Sequence, residues 1–137
     1  MLEICLLAFA PIHHSFEVLL GKELFSLVYP GWRASHENYL RSLADGENER
    51  LFVAEENGVV IGFIHYEMGT KEQSGTIGLN AVHPDHQRKG VGTLMYSHVI
   101  DLMRTAGWDT CKLALEAIHR TPRRDVLMKS SDLLAFR

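Results

Sequence analysis

The sequence predicts an α/β fold with a mixed, mostly antiparallel sheet flanked by helices, and three observations predict it. Asn57-Gly58 lies between two apolar runs, Leu51 to Ala54 and Val59 to Met68, the strongest short-range signal for an antiparallel hairpin. Residues 75 to 115 read strand, loop, helix, strand, a unit that lays its two strands parallel. Two stretches of helical apolar spacing precede the hairpin. The 137 residues, 46% hydrophobic and 23% charged, suit one domain with a core and exclude disordered and fibrous architectures.

The elements follow in order. Ile4 to Phe9 is apolar and stops at Pro11, which predicts a first strand, with His13 and His14 in the loop after it. Ser15 is placed to cap a helix in which Phe16, Leu19, Leu20, Leu24, Leu27 and Val28 recur at helical spacing until Tyr29-Pro30-Gly31. Ser35 opens a second helix carrying Tyr39, Leu40 and Leu43, closed by Asp45-Gly46. The hairpin comes next, then a polar turn over 69–74 and a strand from Gly75 to Val82. Gly75 and Gly78 in that strand suggest a bulge or a close approach. Val91, Leu94, Met95, Val99, Leu102, Met103 and Ala106 form one apolar helical face, closed by Gly107, before a last strand from Thr110 to Leu115.

The pattern fails beyond Glu116. Met1 to Glu116 carries 15 acids and 9 bases (−6), whereas Ala117 to Arg137 carries 2 acids and 5 bases (+3). This divides the chain into a domain over 1–116 and an atypical tail over 117–137. The whole-chain charge of −3 gives no electrostatic reason to expect nucleic acid or an anionic membrane as partner. Cys5 and Cys111 lie in apolar runs and read as buried reduced thiols, which fits a cytoplasmic location. The run Ile4 to Ala10 is by itself too short to span a bilayer, and Glu3 before it argues against a signal peptide. The histidine pairs His13-His14 and His83/His86 have no completing Cys or acidic partners, so no metal is expected.

Chemistry concentrates in Val82-His83-Pro84-Asp85-His86-Gln87-Arg88-Lys89-Gly90-Val91-Gly92-Thr93, between a strand and the surest helix. Gly90 and Gly92 let the backbone approach an anion, the first helical turn offers unpaired N–H groups, and Arg88 and Lys89 add positive charge. The loop lacks the spacing and the Lys-Ser/Thr pair of a Walker A loop. Met95 stands where a dinucleotide fingerprint needs its third glycine. A tight structural connection is the alternative reading of the glycines alone.

The pattern Val-x-Pro-x-x-Gln-x-x-Gly-x-Gly, in this strand-loop-helix setting, resembles the acetyl-CoA loop of the GNAT N-acetyltransferases, and the element order over about residues 4 to 116 matches that family. The resemblance implies a domain that binds acetyl-CoA as co-substrate. Main-chain groups near Ala81 and Val82 would hold the pantetheine arm, and Gln87, Arg88, Lys89, Gly90, Val91, Gly92 and Thr93 would surround the pyrophosphate. It implies direct attack of an acceptor amine, from a small molecule or a peptide, on the thioester. His65 and Glu67, on one face of a strand, are the candidate catalytic pair. Tyr29 and Trp32, with Tyr39, are candidates for the acceptor wall.

The tail departs from the family, which continues with a helix bearing Ala-Arg-x-x-Tyr-x-x-x-Gly-Phe and a final pair of strands. Read one base out of frame, permitted codons for Lys112 to Leu133 spell Val-Gly-Thr-Gly-Gly-Asp-Pro-Ser-His-Ala-Pro-Ala-Arg-Arg-Ala-Tyr-Glu-Lys-x-Gly-Phe, which is similar to that missing segment. The tail therefore reads as frame-shifted, with the family's last helix and strands lost and its leaving-group tyrosine absent. Without them the Thr110 to Leu115 strand keeps an open edge that invites a homodimer. The leading expectation is an acetyl-CoA-dependent N-acetyltransferase impaired by its tail. The alternatives are a non-catalytic acyl-CoA-binding module and a small α/β interaction protein whose loop binds nothing.

Overall fold

In the computed structural model, which describes residues 1–45, 50–68, 74–108, 110–113 and 126–129, the chain opens with a helix where the run Ile4 to Phe9 predicts a strand. Helix α1 spans Leu2–Leu20. A short apolar run suits either element by composition, so the spacing of what it buries decides. Ile4, Cys5 and His13 are buried and Ala8 and Phe9 pack beside the first two, which is one helical stripe. Pro11 sits inside the helix without ending it. Its carbonyl accepts a hydrogen bond from Ser15 Oγ at 2.9 Å, so Ser15 is a mid-helix residue and not the expected cap. At 19 residues, α1 is by length and composition alone long and apolar enough to cross a membrane, a property shared by core helices of soluble proteins.

Gly21 ends α1 with a φ of +76°, in the left-handed region that glycine enters without penalty. The single helix expected from Ser15 to Val28 is therefore two, α1 and α2 (Lys22–Val28). Helix α3 (Trp32–Asp45) begins three residues before Ser35, whose N–H donates to Gly31 O at 3.1 Å.

The sheet runs β1 (Leu51–Glu56), β2 (Val59–Met68), β3 (Ser74–Val82), β4 (Thr110–Leu113), β5 (Val126–Lys129), in that spatial order. Asn57 and Gly58 both have positive φ, 54° and 79°, the conformation that a tight two-residue hairpin requires. β1 and β3 flank β2 antiparallel, while β3 and β4 pair in parallel across helix α4 (Val91–Thr105). Alternation along β2 splits the core between two faces. Ile64 and Tyr66 pack with Ile77, Met95, Val99, Ile100 and Met103 under α4. Phe63 packs with Leu79, Ala81, Ile4, Cys5, Leu40 and Leu43 under α1 and α3.

Two expectations about strand edges change. β5 pairs antiparallel with β4, from Thr110↔Lys129 to Leu113↔Val126, so the open edge expected on β4 is covered by a piece of the tail. With no strand formed by 4–9, β1 becomes the first strand of the sheet and has a neighbour on one side only among the described residues. Ala114 and Leu115, and the rest of the expected tail, lie outside those residues.

Candidate functional site

The site is built on the end of β3 and the loop that follows it. β3 pairs with β4 only from Ser74↔Thr110 to Ile77↔Leu113, yet β3 continues to Val82. Past Ile77 that edge of β3 has no strand partner among the described residues, so main-chain groups near Ala81 and Val82 can take an extended ligand in a strand's place. Ala81 is buried and Val82 half-buried.

Beyond Val82 a short 3₁₀ turn, Pro84–His86, leads into the loop, and Gln87 Nε2 donates back to Val82 O at 3.0 Å. Arg88 has φ +59°, a conformation uncommon outside glycine, and Gly90 has φ +83° at the N-cap of α4. No side chain caps α4. A Cβ at Gly90 would meet nothing within 4 Å, and one at Gly92 would meet only Val82 Cγ2 at 4.0 Å. The first-turn N–H groups of α4 therefore open onto clear space flanked by the exposed Arg88, Lys89 and Thr93, with Val91 and Gly92 half-buried. These residues fit a diphosphate. The loop also approaches the hairpin, where His86 Nδ1 lies 3.1 Å from Glu56 Oε2 at the end of β1. Thirty residues separate that pair, so no local sequence pattern announces it.

A second group stands over β3 at Gly78. The β2–β3 register shifts between Ile64↔Asn80 and Tyr66↔Ile77, leaving Gly78 and Leu79 opposite His65 alone. His65 is 3% exposed, and its Nδ1 is 3.3 Å from the hydroxyl of Tyr39 on α3. A Cβ at Gly78 would come within 2.9 Å of His65 Nδ1 and 3.6 Å of the Tyr39 hydroxyl, so the glycine keeps this corner open. Burial pushes the imidazole pKa down, Glu67 pulls it partly back, and Arg50 lowers it further. Burial and Glu67 both push the Tyr39 hydroxyl up. A buried neutral imidazole can accept a proton. Glu67 is exposed, two residues along the same strand.

Tyr29 and Trp32 lie elsewhere. Trp32 is buried, its ring stacked on His13 with centroids 4.0 Å apart and Arg33 4.5 Å from its centroid; Tyr29 stacks on Phe16 at 5.4 Å. His13, expected in an exposed loop, is thus part of an aromatic cluster joining α1, α2 and α3. Trp32 and Tyr39 share α3 seven residues apart, about 10 Å along its axis. On the opposite face of the sheet, the Tyr96 hydroxyl donates to Asn80 Oδ1 at 3.2 Å and Asn80 Nδ2 donates to Gly78 O at 3.0 Å. The sequence pattern did not single out Asn80, although a polar side chain beside an apolar helix face is such a signal. Among the described residues no group of three or more His, Cys, Asp or Glu could hold a metal ion.

Comparison with known proteins bears on this arrangement. A family model described as the acetyltransferase (GNAT) family matches residues 20–122. Among solved structures, the chain is similar to the PaiA N-acetyltransferase from Thermoplasma acidophilum in complex with coenzyme A, with TM-score 0.59 and 14% identity over 98% of this chain and 77% of that one. It is similar to a GNAT family acetyltransferase from Brucella melitensis in complex with acetyl-CoA, with TM-score 0.58 and 18% identity over 97% and 89%. The ribosomal-protein-S18-alanine N-acetyltransferase from Escherichia coli shares 27% identity over 55% of this chain and 48% of its own, with TM-score 0.47, so the chain spans about half that enzyme's length. No curated protein sequence matches.

Proposed function

The chain belongs to the acetyltransferase (GNAT) family, and on that premise we propose that it moves the acetyl group of acetyl-CoA onto an amine acceptor. One observation carries the reading: β3, with no strand on its β4 side past Ile77 among the described residues, continues to Val82 and leads into the open N-terminus of α4. That path suits a ligand with an extended arm and a diphosphate at its end. The arm would lie along Ala81 and Val82, and the diphosphate would meet Gln87 to Thr93, with its charge answered by Arg88, Lys89 and the helix N-terminus.

With the arm so laid, the thioester comes to the corner at Gly78, beneath His65. The acceptor nitrogen attacks the thioester carbon with its lone pair, the carbon–sulfur bond breaks, and the thiolate leaves with that pair. The proton shed by the nitrogen passes to the imidazole, directly or through water, and then to solvent. Glu67, exposed beside it, favours a cationic acceptor, whose ammonium gives one proton to water before the attack and sheds the second, after it, to the imidazole. Tyr29 and Trp32, in the aromatic cluster that joins α1, α2 and α3, would shape the outer part of an acceptor path.

Turnover by this chain is proposed to be weak, since the segment from Lys112 onward reads out of frame and supplies no tyrosine to protonate the thiolate. Acid assistance is typically worth about 10² to 10⁴ in rate. The test is release of free thiol from acetyl-CoA over a panel of primary amines. Amine-dependent release supports the transferase. Tight acetyl-CoA binding with no release for any amine points to an acyl-CoA-binding module, and no binding at all contradicts the reading.

A further inference from the structure

Among the described residues β1 is an edge strand, and its outward backbone is chemically self-complementary. Tyr66 N donates to Arg50 O at 3.0 Å, and the β1–β2 register continues through Leu51↔His65, Phe52↔Ile64 and Val53↔Phe63. Hydrogen-bonded and non-hydrogen-bonded pairs alternate along an antiparallel ladder. Arg50 and Phe52 therefore spend their backbone groups on β2, while Leu51 and Val53 point theirs away from the sheet. Val53 is 46% exposed. An unprotected edge of this kind is a template for another strand.

We propose that β1 pairs antiparallel with β1 of a second copy about a two-fold axis at Val53, joining the two sheets into one. The outward parity of the backbone allows a two-fold axis at any residue from Leu51 to Glu55, through a hydrogen-bonded or a non-hydrogen-bonded pair, and of these only an axis at Val53 sets Arg50 opposite Glu56. An axis at Leu51 leaves half the strand unpaired, and one at Glu55 sets two carboxylates against each other. An axis at Val53 pairs all six residues of the strand. It also sets Arg50 opposite Glu56 of the second copy, twice by symmetry, with Phe52 opposite Ala54 between them. Opposite charges directly across a strand pair are stabilising, and this register has no like-charge pair. Glu56 also faces His86 of its own chain through Oε2, and its other oxygen remains to meet the arginine.

The test is the oligomeric state of the full chain by sedimentation equilibrium, with no ligand or acceptor needed. Wild type is expected to be a dimer at high micromolar concentration, and Val53→Pro a folded monomer, since that N–H is not used within the chain and proline is tolerated on an edge. Arg50→Glu alone should weaken the dimer about tenfold, and so should Glu56→Arg, each by leaving two like-charge pairs; the double exchange should restore the wild-type constant. The exchange guards against a proline variant that fails to fold. A wild type that stays monomeric overturns the proposal. So does a dimer indifferent to both Val53→Pro and the charge variants, which would place the contact elsewhere, for instance on the apolar surface of α1. Failure of the double exchange to rescue, after single losses, also overturns the register.

Discussion

His65 of β2 and Tyr39 of α3 meet over Gly78, Nδ1 to hydroxyl at 3.3 Å, one residue past the last pairing of β3 with β4 among the described residues. A buried proton acceptor thus stands at the place where a ligand strand can begin. Three elements contribute one residue each to this corner.

Gly78→Ala places a methyl within 2.9 Å of His65 Nδ1 and displaces the ring. Small displacements of a reacting group are costly, so kcat for amine-dependent thiol release should fall on the order of tenfold or more. The affinity for acetyl-CoA should stay near that of wild type, because Gln87 to Thr93 are untouched. Steady-state kinetics alongside direct binding separates the two.

The depressed pKa of His65 makes stability depend on pH. In the folded chain burial keeps the ring neutral, whereas the unfolded chain takes a proton at the ordinary value of 6.5. Stability from this residue is thus full above that value and is lost as the pH falls through it toward the lower folded value. Urea unfolding across this range should show wild type losing more stability on acidification than His65→Gln. Equal losses would mean that the ring is not held neutral.

Much of this corner was legible in the residues, though not its depth. The period of two along β2 places His65 and Glu67 on one face, and the glycines of β3 mark a bulge and a close approach, as found at Gly75 and Gly78. The burial of His65 was not legible, because it depends on α3 crossing above it. The first strand failed for a physical reason: Ile4 to Phe9 fits strand and helix alike, and Pro11 looked like a terminator although α1 accommodates it. The loop was the most legible part, since glycine spacing, strand, turn and helix are all local. The His86–Glu56 approach comes only from the folding of the hairpin against the loop.

Gly75 lies under Met103, and a Cβ there would collide with the thioether. Gly75→Ala should destabilise by about 1–3 kcal/mol, as overpacking does. With Met103→Ala already present the same change should cost less, a coupling that a double-mutant cycle in urea measures directly.

Cys5 is buried under Leu40, Phe63 and their neighbours, and burial pushes its thiol up to about 12. The thiolate is the reactive form, so Cys5 should resist alkylation in the folded chain and label readily in denaturant. Peptide-level mass spectrometry after iodoacetamide treatment reads this one site. Rapid native labelling would show α1 undocked from the sheet.

The central claim is that the loop from Gln87 to Thr93 binds acetyl-CoA, and calorimetric titration of the wild type and Gly90→Asp tests it most directly. Aspartate at Gly90 brings a Cβ into a left-handed position, φ +83°, and a negative charge to the mouth of α4. Binding by the wild type with a loss of about a hundredfold or more in the variant, while the variant stays folded, is the predicted result. Equal affinity in the two proteins, or no binding by the wild type, would contradict it.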